Sequence, residues 1–402
     1  MSSPTILIAL TLSASPADAH SPTFGMAALS TRALAPGEVW GMTDGWGLAR
    51  SVDGGASWAW LCEESVGTDT VYDVLAYADG VALAATAHGL VRVDESCTGS
   101  TLAGVPAGFA FQVAAYGGGA AAAIVGPDEG GIVFCDDLTC TPSALWGANM
   151  YPKALVVDGT TLWVSVVWTD TLASALFRST DGVAFEEVFR WPEGEVDPRV
   201  VHATGDNVLV WTRPRSDAAL PAIEKSVDGG RTFLRTFEQG YYTDATPGVF
   251  VEGDVVLLGS WFGARTWRSD DLGGSFVEVS AEAPAVRCGV RVGDAVLTCA
   301  DHLADGFSVA TTDDLVHFAP LACLEETLPA ACAEAACEPY LDAWVSAGAY
   351  GGGRCDVDSG DTAEPTPEPE CGCSGGWAPG WALGAAGVLL VRPRRAPVRA
   401  NT

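Results

Sequence analysis

The stretches Ser51-Val52-Asp53-Gly54-Gly55-Ala56-Ser57-Trp58, Ser226-Val227-Asp228-Gly229-Gly230-Arg231-Thr232-Phe233 and Ser269-Asp270-Asp271-Leu272-Gly273-Gly274-Ser275-Phe276 are copies of one short pattern. Reduced copies stand at Ser179-Thr180-Asp181-Gly182 with Phe185, and at Thr311-Thr312-Asp313-Asp314 with Phe318. Asp94 and Asp136 keep the phase without the glycines. The aspartates at 53, 94, 136, 181, 228, 271 and 313 are separated by 41, 42, 45, 47, 43 and 42 residues, which makes seven units. A period in the forties is the length of one four-stranded propeller blade, and seven blades close into a ring. The expected fold is therefore all-β: a seven-bladed propeller of four-stranded antiparallel blades.

Each copy reads as a tight hairpin turn. A short acceptor side chain at the Asp position bonds nearby backbone N–H groups, and the following glycines admit φ > 0 without a Cβ clash. The aromatic residue then returns the chain to an apolar layer. Upstream of each Asp lie two β-rich runs, such as 254–259 followed by 265–269, and 161–168 followed by 175–179. Their alternation and β-branched content mark strands.

The pattern S/T-x-D-x-G-x-x-W/F resembles the Asp-box, or BNR repeat, of sialidases, sortilin-type receptors, some glucan hydrolases and photosystem assembly factors. It covers roughly residues 21–322. In those families the box is a structural turn, which implies that Asp53, Asp181, Asp228, Asp271 and Asp313 hold turns and do no chemistry.

The chain has 402 residues, 21 Lys and Arg against 51 Asp and Glu, and a net charge of −30. Nucleic-acid affinity comes mainly from neutralising phosphates with basic side chains, so this balance excludes nucleic acid as a partner. The acidic excess favours solubility.

Twelve cysteines and both ends of the chain point to export. Residues 6–12 are apolar, and Ala17-Asp18-Ala19 is a small-residue cleavage site, which gives a signal peptide over 1–19, although no basic residue precedes the apolar run. The propeller then occupies 20–322, a Cys-rich segment 323–356, an acidic, Pro-rich linker 357–370, and a tail with a short transmembrane helix 371–402. In an exported chain the cysteines read as disulfides. Cys288 and Cys299 are equidistant from one hairpin turn, Cys135 and Cys140 flank Asp136, and Cys62 with Cys97 would tie adjacent blades. Cys323, Cys332, Cys337 and Cys355 cluster after the last blade without the paired spacing of a zinc site, so disulfides are expected and no metal is assigned.

The tail runs Cys371-Gly372-Cys373-Ser374, an apolar stretch of about 375–391, then Arg392-Pro393-Arg394-Arg395. That order resembles the MYXO-CTERM sorting tail of myxobacterial surface proteins. The resemblance implies an intramembrane protease as partner, Cys371 or Cys373 as the processed residue, Arg392, Arg394 and Arg395 as the retention signal, and membrane contact through the tail. The alternative is a plain C-terminal anchor.

In a four-stranded meander the 1-to-2 and 3-to-4 connections share one face, and the repeated turns are 3-to-4 connections. A ligand is therefore expected on the opposite face, formed by the 2-to-3 and 4-to-1 connections. The candidate binding residues are Asp44, Trp168, Asp170, Arg213, Trp261, Arg265 and Tyr242, supported by Trp46, His88, Arg199, Arg215, Tyr241 and Asp244. Asp301-His302-x-x-Asp305 lies on the same face and would suit a metal or a solvated loop. Rings stack on sugar faces and guanidinium forks grip carboxylates, so an extracellular glycan or protein is the expected ligand. Three functions stay open: a non-catalytic binding or adhesion module, a glycoside hydrolase, and an assembly or receptor propeller. Sialidases carry an Arg-Ile-Pro segment and six blades; this chain has neither. No catalytic residue and no cofactor is assigned.

Overall fold

The computed structural model describes residues 26–31, 37–43, 46–68, 70–78, 80–136, 139–216, 219–239, 247–260, 265–323 and 327–346. They form seven antiparallel meanders, each built from consecutive strands. Blade 1 is Met26–Thr31, Val39–Thr43, Leu48–Ser51 and Ala59–Leu61; blade 2 is Val71–Ala78, Val81–Thr86, Gly89–Val93 and Gly99–Thr101. Blade 3 is Phe109–Tyr116, Gly119–Val125, Glu129–Asp136 and Thr139–Ala148; blade 4 is Met150–Asp158, Thr161–Trp168, Ser174–Ser179 and Glu186–Trp191. Blade 5 is Val196–Thr204, Asn207–Pro214, Ala222–Ser226 and Leu234–Glu238; blade 6 is Gly248–Glu252, Val255–Gly259, Thr266–Ser269 and Val277–Glu278. Blade 7 is Gly289–Val292, Ala295–Cys299, Val309–Thr312 and Ala319–Ala322.

The burial pattern runs radially. Second strands such as Val81–Thr86 and Thr161–Trp168 are buried almost end to end because both faces are covered by neighbouring blades. Where the blades converge, the side chains must be small, hence the run Ala120-Ala121-Ala122-Ala123. Fourth strands such as Leu234–Glu238 face solvent and lose this continuity. Further out, rings fill the widening wedge: Phe189, Trp191 and Phe233 join blades 4 and 5, with centroids 4.9–5.8 Å apart.

The Ser-x-Asp turns show why each residue type is needed. Ser226 Oγ accepts the Gly230 N–H at 2.9 Å and donates to Asp228 Oδ1 at 2.8 Å. Asp228 Oδ1 also accepts the Thr232 N–H at 2.9 Å, and Oδ2 accepts the Thr232 hydroxyl at 2.7 Å. The turns at Asp53 and Asp271 repeat these bonds with Ser57 and Ser275. These donors favour the ionised form, so Asp53, Asp181 and Asp228 are held below the usual carboxylate range, and Asp271 is lowered to about 2. The glycine two residues after the aspartate has a further role. A Cβ on Gly230 would lie 3.1 Å from Trp163 of blade 4, one on Gly273 2.8 Å from Leu209 of blade 5, and one on Gly55 2.7 Å from Leu297 of blade 7. Each turn is thus seated on the preceding blade, and the turn of blade 1 is seated on the last.

One turn is read a residue out of register by the sequence. In blade 7 the carboxylate that takes the turn N–H groups is Asp314, not Asp313: Asp314 Oδ1 accepts from Val316 and His317 at 2.8 Å, and Thr312 Oγ1 donates to it at 3.3 Å. The tandem Thr311-Thr312-Asp313-Asp314 fits the pattern in two frames. The frame adopted is the one that puts buried Thr312 in the serine position and Leu315 in the left-handed region at φ 58°.

Cys135–Cys140 and Cys288–Cys299 are bridged within single hairpins. Cys62 and Cys97 are not bridged to each other. Cys62 pairs with Cys337 and Cys97 with Cys332, because the Cys-rich segment crosses from blade 7 to blade 1. There Leu328–Pro329 adds a fifth, parallel strand beside Ala59–Leu61, and the helix Glu334–Ser346 follows. Tyr340 donates to Glu64 Oε2 at 2.7 Å. Cys323 is also disulfide-bonded. Residues 1–19, Cys355, Cys371, Cys373, Arg392, Arg394 and Arg395 lie outside the described residues. Among the described residues no helix is long and apolar enough to cross a membrane.

Candidate functional site

The first strands of blades 1 to 6, with Arg287 just ahead of the first strand of blade 7, surround a cavity of about 290 Å³ on the ring axis. Its wall includes Ala28, Asp73, Gln112, Lys153, Arg199 and Val249, one from each of blades 1 to 6 in turn, and Arg287 at the entry to blade 7. Blades are fastened around it by side chains that accept a neighbour's backbone N–H: Ser30 from Ala76 at 2.9 Å, Asp73 from Val113 at 3.0 Å, Gln112 from Leu155 at 2.8 Å and Ser165 from Val200 at 3.2 Å. Burial pushes the Asp73 carboxyl up to about 7, against the pull of the Val113 and Val74 N–H groups.

The repeated turns lie at the end of the ring where first strands finish, since the Gly54 N–H bonds the Gly37 carbonyl of the 1-to-2 connection at 2.8 Å and Gly229 bonds Asp206 at 2.9 Å. The opposite end, where first strands begin, carries the concentrated chemistry. Tyr72, Phe109, Phe111 and Tyr151 form a continuous ring cluster across blades 2 to 4, with centroids 5.9–6.2 Å apart and Phe111 stacked on Tyr151 at 28°. Lys153 Nζ sits 4.6 Å above the Tyr151 ring and 2.9 Å from Asp197 Oδ2. Burial lowers the Lys153 pKa, opposed by Asp197. Burial also raises that of Tyr151, opposed by the nearby Arg199. Asp197 Oδ1 is buried without a hydrogen-bond partner among the described residues. Arg287, its side chain fully buried, is paired with Asp301.

The sequence-selected residues divide in three. Asp44, Trp261 and Tyr242, with Tyr241 and Asp244, lie outside the described residues. Arg213 stands on the second strand of blade 5, paired in register with Asp197 beside the mouth, and Arg215 Nε donates to the Val196 carbonyl at 3.3 Å. Trp168, Asp170 and Arg265 lie at strand ends in local contacts. Trp168 packs edge-on against Phe177 at 6.0 Å with the Arg190 guanidinium 5.0 Å over its ring. Asp170 accepts the Thr171 N–H at 2.8 Å, and Arg265 is 3.9 Å from Glu278.

Three supporting assignments change. Trp46 is buried against Trp60, centroids 5.7 Å apart, so it packs the core. Arg199 is on the first strand of blade 5, not in a 4-to-1 connection. In the Asp301-His302-x-x-Asp305 loop, Asp305 Oδ2 accepts the Asp301 and Ala285 N–H groups at 2.8 and 3.2 Å, and Asp301 holds Arg287. Among the described residues no group of three His, Cys, Asp or Glu is placed to hold a metal. The residues that sequence reasoning missed, Tyr72, Phe109, Phe111, Tyr151 and Lys153, all occupy strand starts. Their available signal was aromatic or cationic side chains interrupting the apolar run at the head of blades 2 to 4.

No protein-family profile matches the chain, and no curated protein matches it. Among solved structures, hydrazine synthase of Kuenenia stuttgartiensis is similar with TM-score 0.52 and 13% identity, over 74% of this chain and 97% of that one. YCF48 from Cyanidioschyzon merolae is similar with TM-score 0.44 and 12% identity, over 70% and 94%. The GH74 xyloglucanase from Xanthomonas campestris is similar with TM-score 0.38 and 12% identity, over 76% and 68%. The likeness is one of fold, and the chain is a seven-bladed β-propeller.

Proposed function

We propose that this protein is an exported, surface-displayed propeller that acts as a non-catalytic binding or adhesion module, taking an extracellular glycan or protein at its axial mouth. The observation that supports this reading is the convergence of four rings from three blades with Lys153 and Arg199 at one end of the axis. Flat aromatic faces contribute contact area at low entropic cost, and cations beside them fix orientation. The mouth carboxylates are already engaged, Asp73 with two backbone N–H groups and Asp197 with Lys153, which favours retention of a ligand over its turnover. In this proposal the Ser-x-Asp turns are Asp-boxes, residues 1–19 direct export, and the tail is processed at Cys371 or Cys373 by an intramembrane protease.

An array of microbial and environmental glycans, read by mass at each spot, tests the binding reading. Retention on unaltered glycans that Tyr151→Ala abolishes supports it, and shortened glycans would replace it with a hydrolase. Absence of both turns the assignment to a protein ligand, tested by the same variant in crosslinking to cell-envelope proteins.

A further inference from the structure

Among the described residues Arg199 is the lysine or arginine left without a hydrogen bond or ion pair. In a chain with 51 acidic and 21 basic residues, partners for a guanidinium are abundant, and the others find them: Arg50 with Glu38, Arg178 with Glu186, Arg235 with Glu238, Arg291 with Glu252. Arg199 is half-buried on the wall of the axial cavity, near Lys153 and Tyr151. Lys153 is paired with Asp197 and Arg287 with Asp301, and Asp73 is held by two backbone N–H groups, so Arg199 is the cation of the cavity wall left uncommitted.

A second groove adjoins this point. Ala87, His88, Ala107, Gly108, Gly126 and Pro127 line the seam between blades 2 and 3 together with Phe109, whose ring also belongs to the mouth cluster. Most of its side chains are small and apolar, and no Asp, Glu, Lys or Arg lines it.

We infer that the mouth binds a saccharide carrying one carboxylate, with the acidic unit on Arg199 and Tyr151 and neutral units continuing over Phe109 into the seam between blades 2 and 3. The inference rests on the axial-mouth reading above. A planar guanidinium accepts a carboxylate in two parallel hydrogen bonds, and an uncommitted one beside an aromatic face fits a ligand with both features in a single unit. A uronate ring has a carboxylate and an apolar face together; an aspartate or glutamate side chain has the charge without the face. One uncommitted guanidinium matches one carboxylate, and the net charge of −30 opposes a polyanion through the field of the rest of the molecule.

The test is calorimetric titration of the full-length, disulfide-bonded chain. The probes are xylotriose carrying one glucuronate, glucuronate alone, xylotetraose, tetragalacturonate, and a tetrapeptide with one glutamate. The single-acid oligosaccharide is expected to bind at least 30-fold tighter than xylotetraose and tetragalacturonate. Arg199→Ala should remove that margin and Arg199→Lys restore part of it, with unchanged melting curves. Ala107→Trp, at an exposed seam position, should abolish the gain from glucuronate to its oligosaccharide while leaving glucuronate binding intact. Xylotetraose binding as tightly as the acidic probe, lost in Tyr151→Ala, would keep the mouth as the binding site and overturn the carboxylate. Tighter binding of tetragalacturonate or of the peptide, an Arg199→Ala variant with undiminished affinity, or no binding of either glucuronate probe would each overturn the inference.

Discussion

Removing Cys97–Cys332 should cost about 4 kcal/mol, a figure that comes from where the chain is tied. The two bridges of the C-terminal clasp span 275 and 235 residues. With Cys62–Cys337 intact, breaking Cys97–Cys332 frees only the loop between them, 35 residues from Cys62 to Cys97 and five from Cys332 to Cys337. Closing a loop of that length lowers denatured-state entropy by roughly 13 cal/mol/K, or about 4 kcal/mol at 25 °C. Breaking Cys62–Cys337 as well should cost roughly a further 5.5 kcal/mol, since the loop then released is the 275-residue one. The loss is expected to fall between blades 1 and 7, because the four strands of each blade are consecutive and only the two-residue strand Leu328–Pro329 is carried across that seam. Cys97→Ala/Cys332→Ala should lower Tm by roughly 5–10 °C. Hydrogen exchange should quicken first in Met26–Thr31 and Gly289–Val292. A change in urea-unfolding free energy below about 1 kcal/mol, or exchange that rises evenly around the ring, would refute the closure argument.

Ser226→Ala leaves the buried Gly230 N–H without its acceptor, and urea unfolding should show a loss of about 1–3 kcal/mol. Arg287→Met strands Asp301 without its buried partner and should cost about 3 kcal/mol by the same assay, with Arg287→Met/Asp301→Leu recovering part of it. Asp73 binds a proton more tightly in the folded chain, up to about 7 against an unfolded 3.8, so its contribution is complete at low pH and is lost as pH rises through that window. Stability should therefore fall by up to about 1.4 kcal/mol per pH unit between pH 4 and 7, a slope that Asp73→Asn flattens in melts across pH. Asp271 acts in the opposite sense: its contribution is present above 3.8 and lost as pH falls towards 2, so Asp271→Asn should reduce the acid sensitivity of unfolding.

The blades were legible because their turns are made by residues four apart in sequence, so serine, aspartate and glycine must appear together and recur. The hairpin disulfides were legible for the same reason, with partners five and eleven residues apart. Cys62 and Cys97 were not, since ring closure brings their partners from more than 230 residues away and no local pattern encodes it. The slip at Asp313 arose where two threonines and two aspartates offer the same chemistry in two frames. Strand parity alone pointed to the end of the ring where the aromatic cluster lies, yet the residues of that cluster were not among those selected. Tyr72, Phe109, Phe111, Tyr151 and Lys153 come one or two per blade from strand starts, and the ring assembles into a cluster what the sequence scatters over about eighty residues.

The clasp also decides how the molecule bears load. A pull on the chain beyond Ser346 would, in a simple propeller, peel the last blade strand by strand from its exposed edge. Here the helix Glu334–Ser346 is itself fastened, by Cys337 to Cys62 at the end of blade 1, with Cys332 fastened to blade 2 just ahead of it. Tension carried by that helix therefore enters the ring through sulfur bonds at its opening blades, and Ala319–Ala322 at the outer edge of blade 7 does not bear it alone.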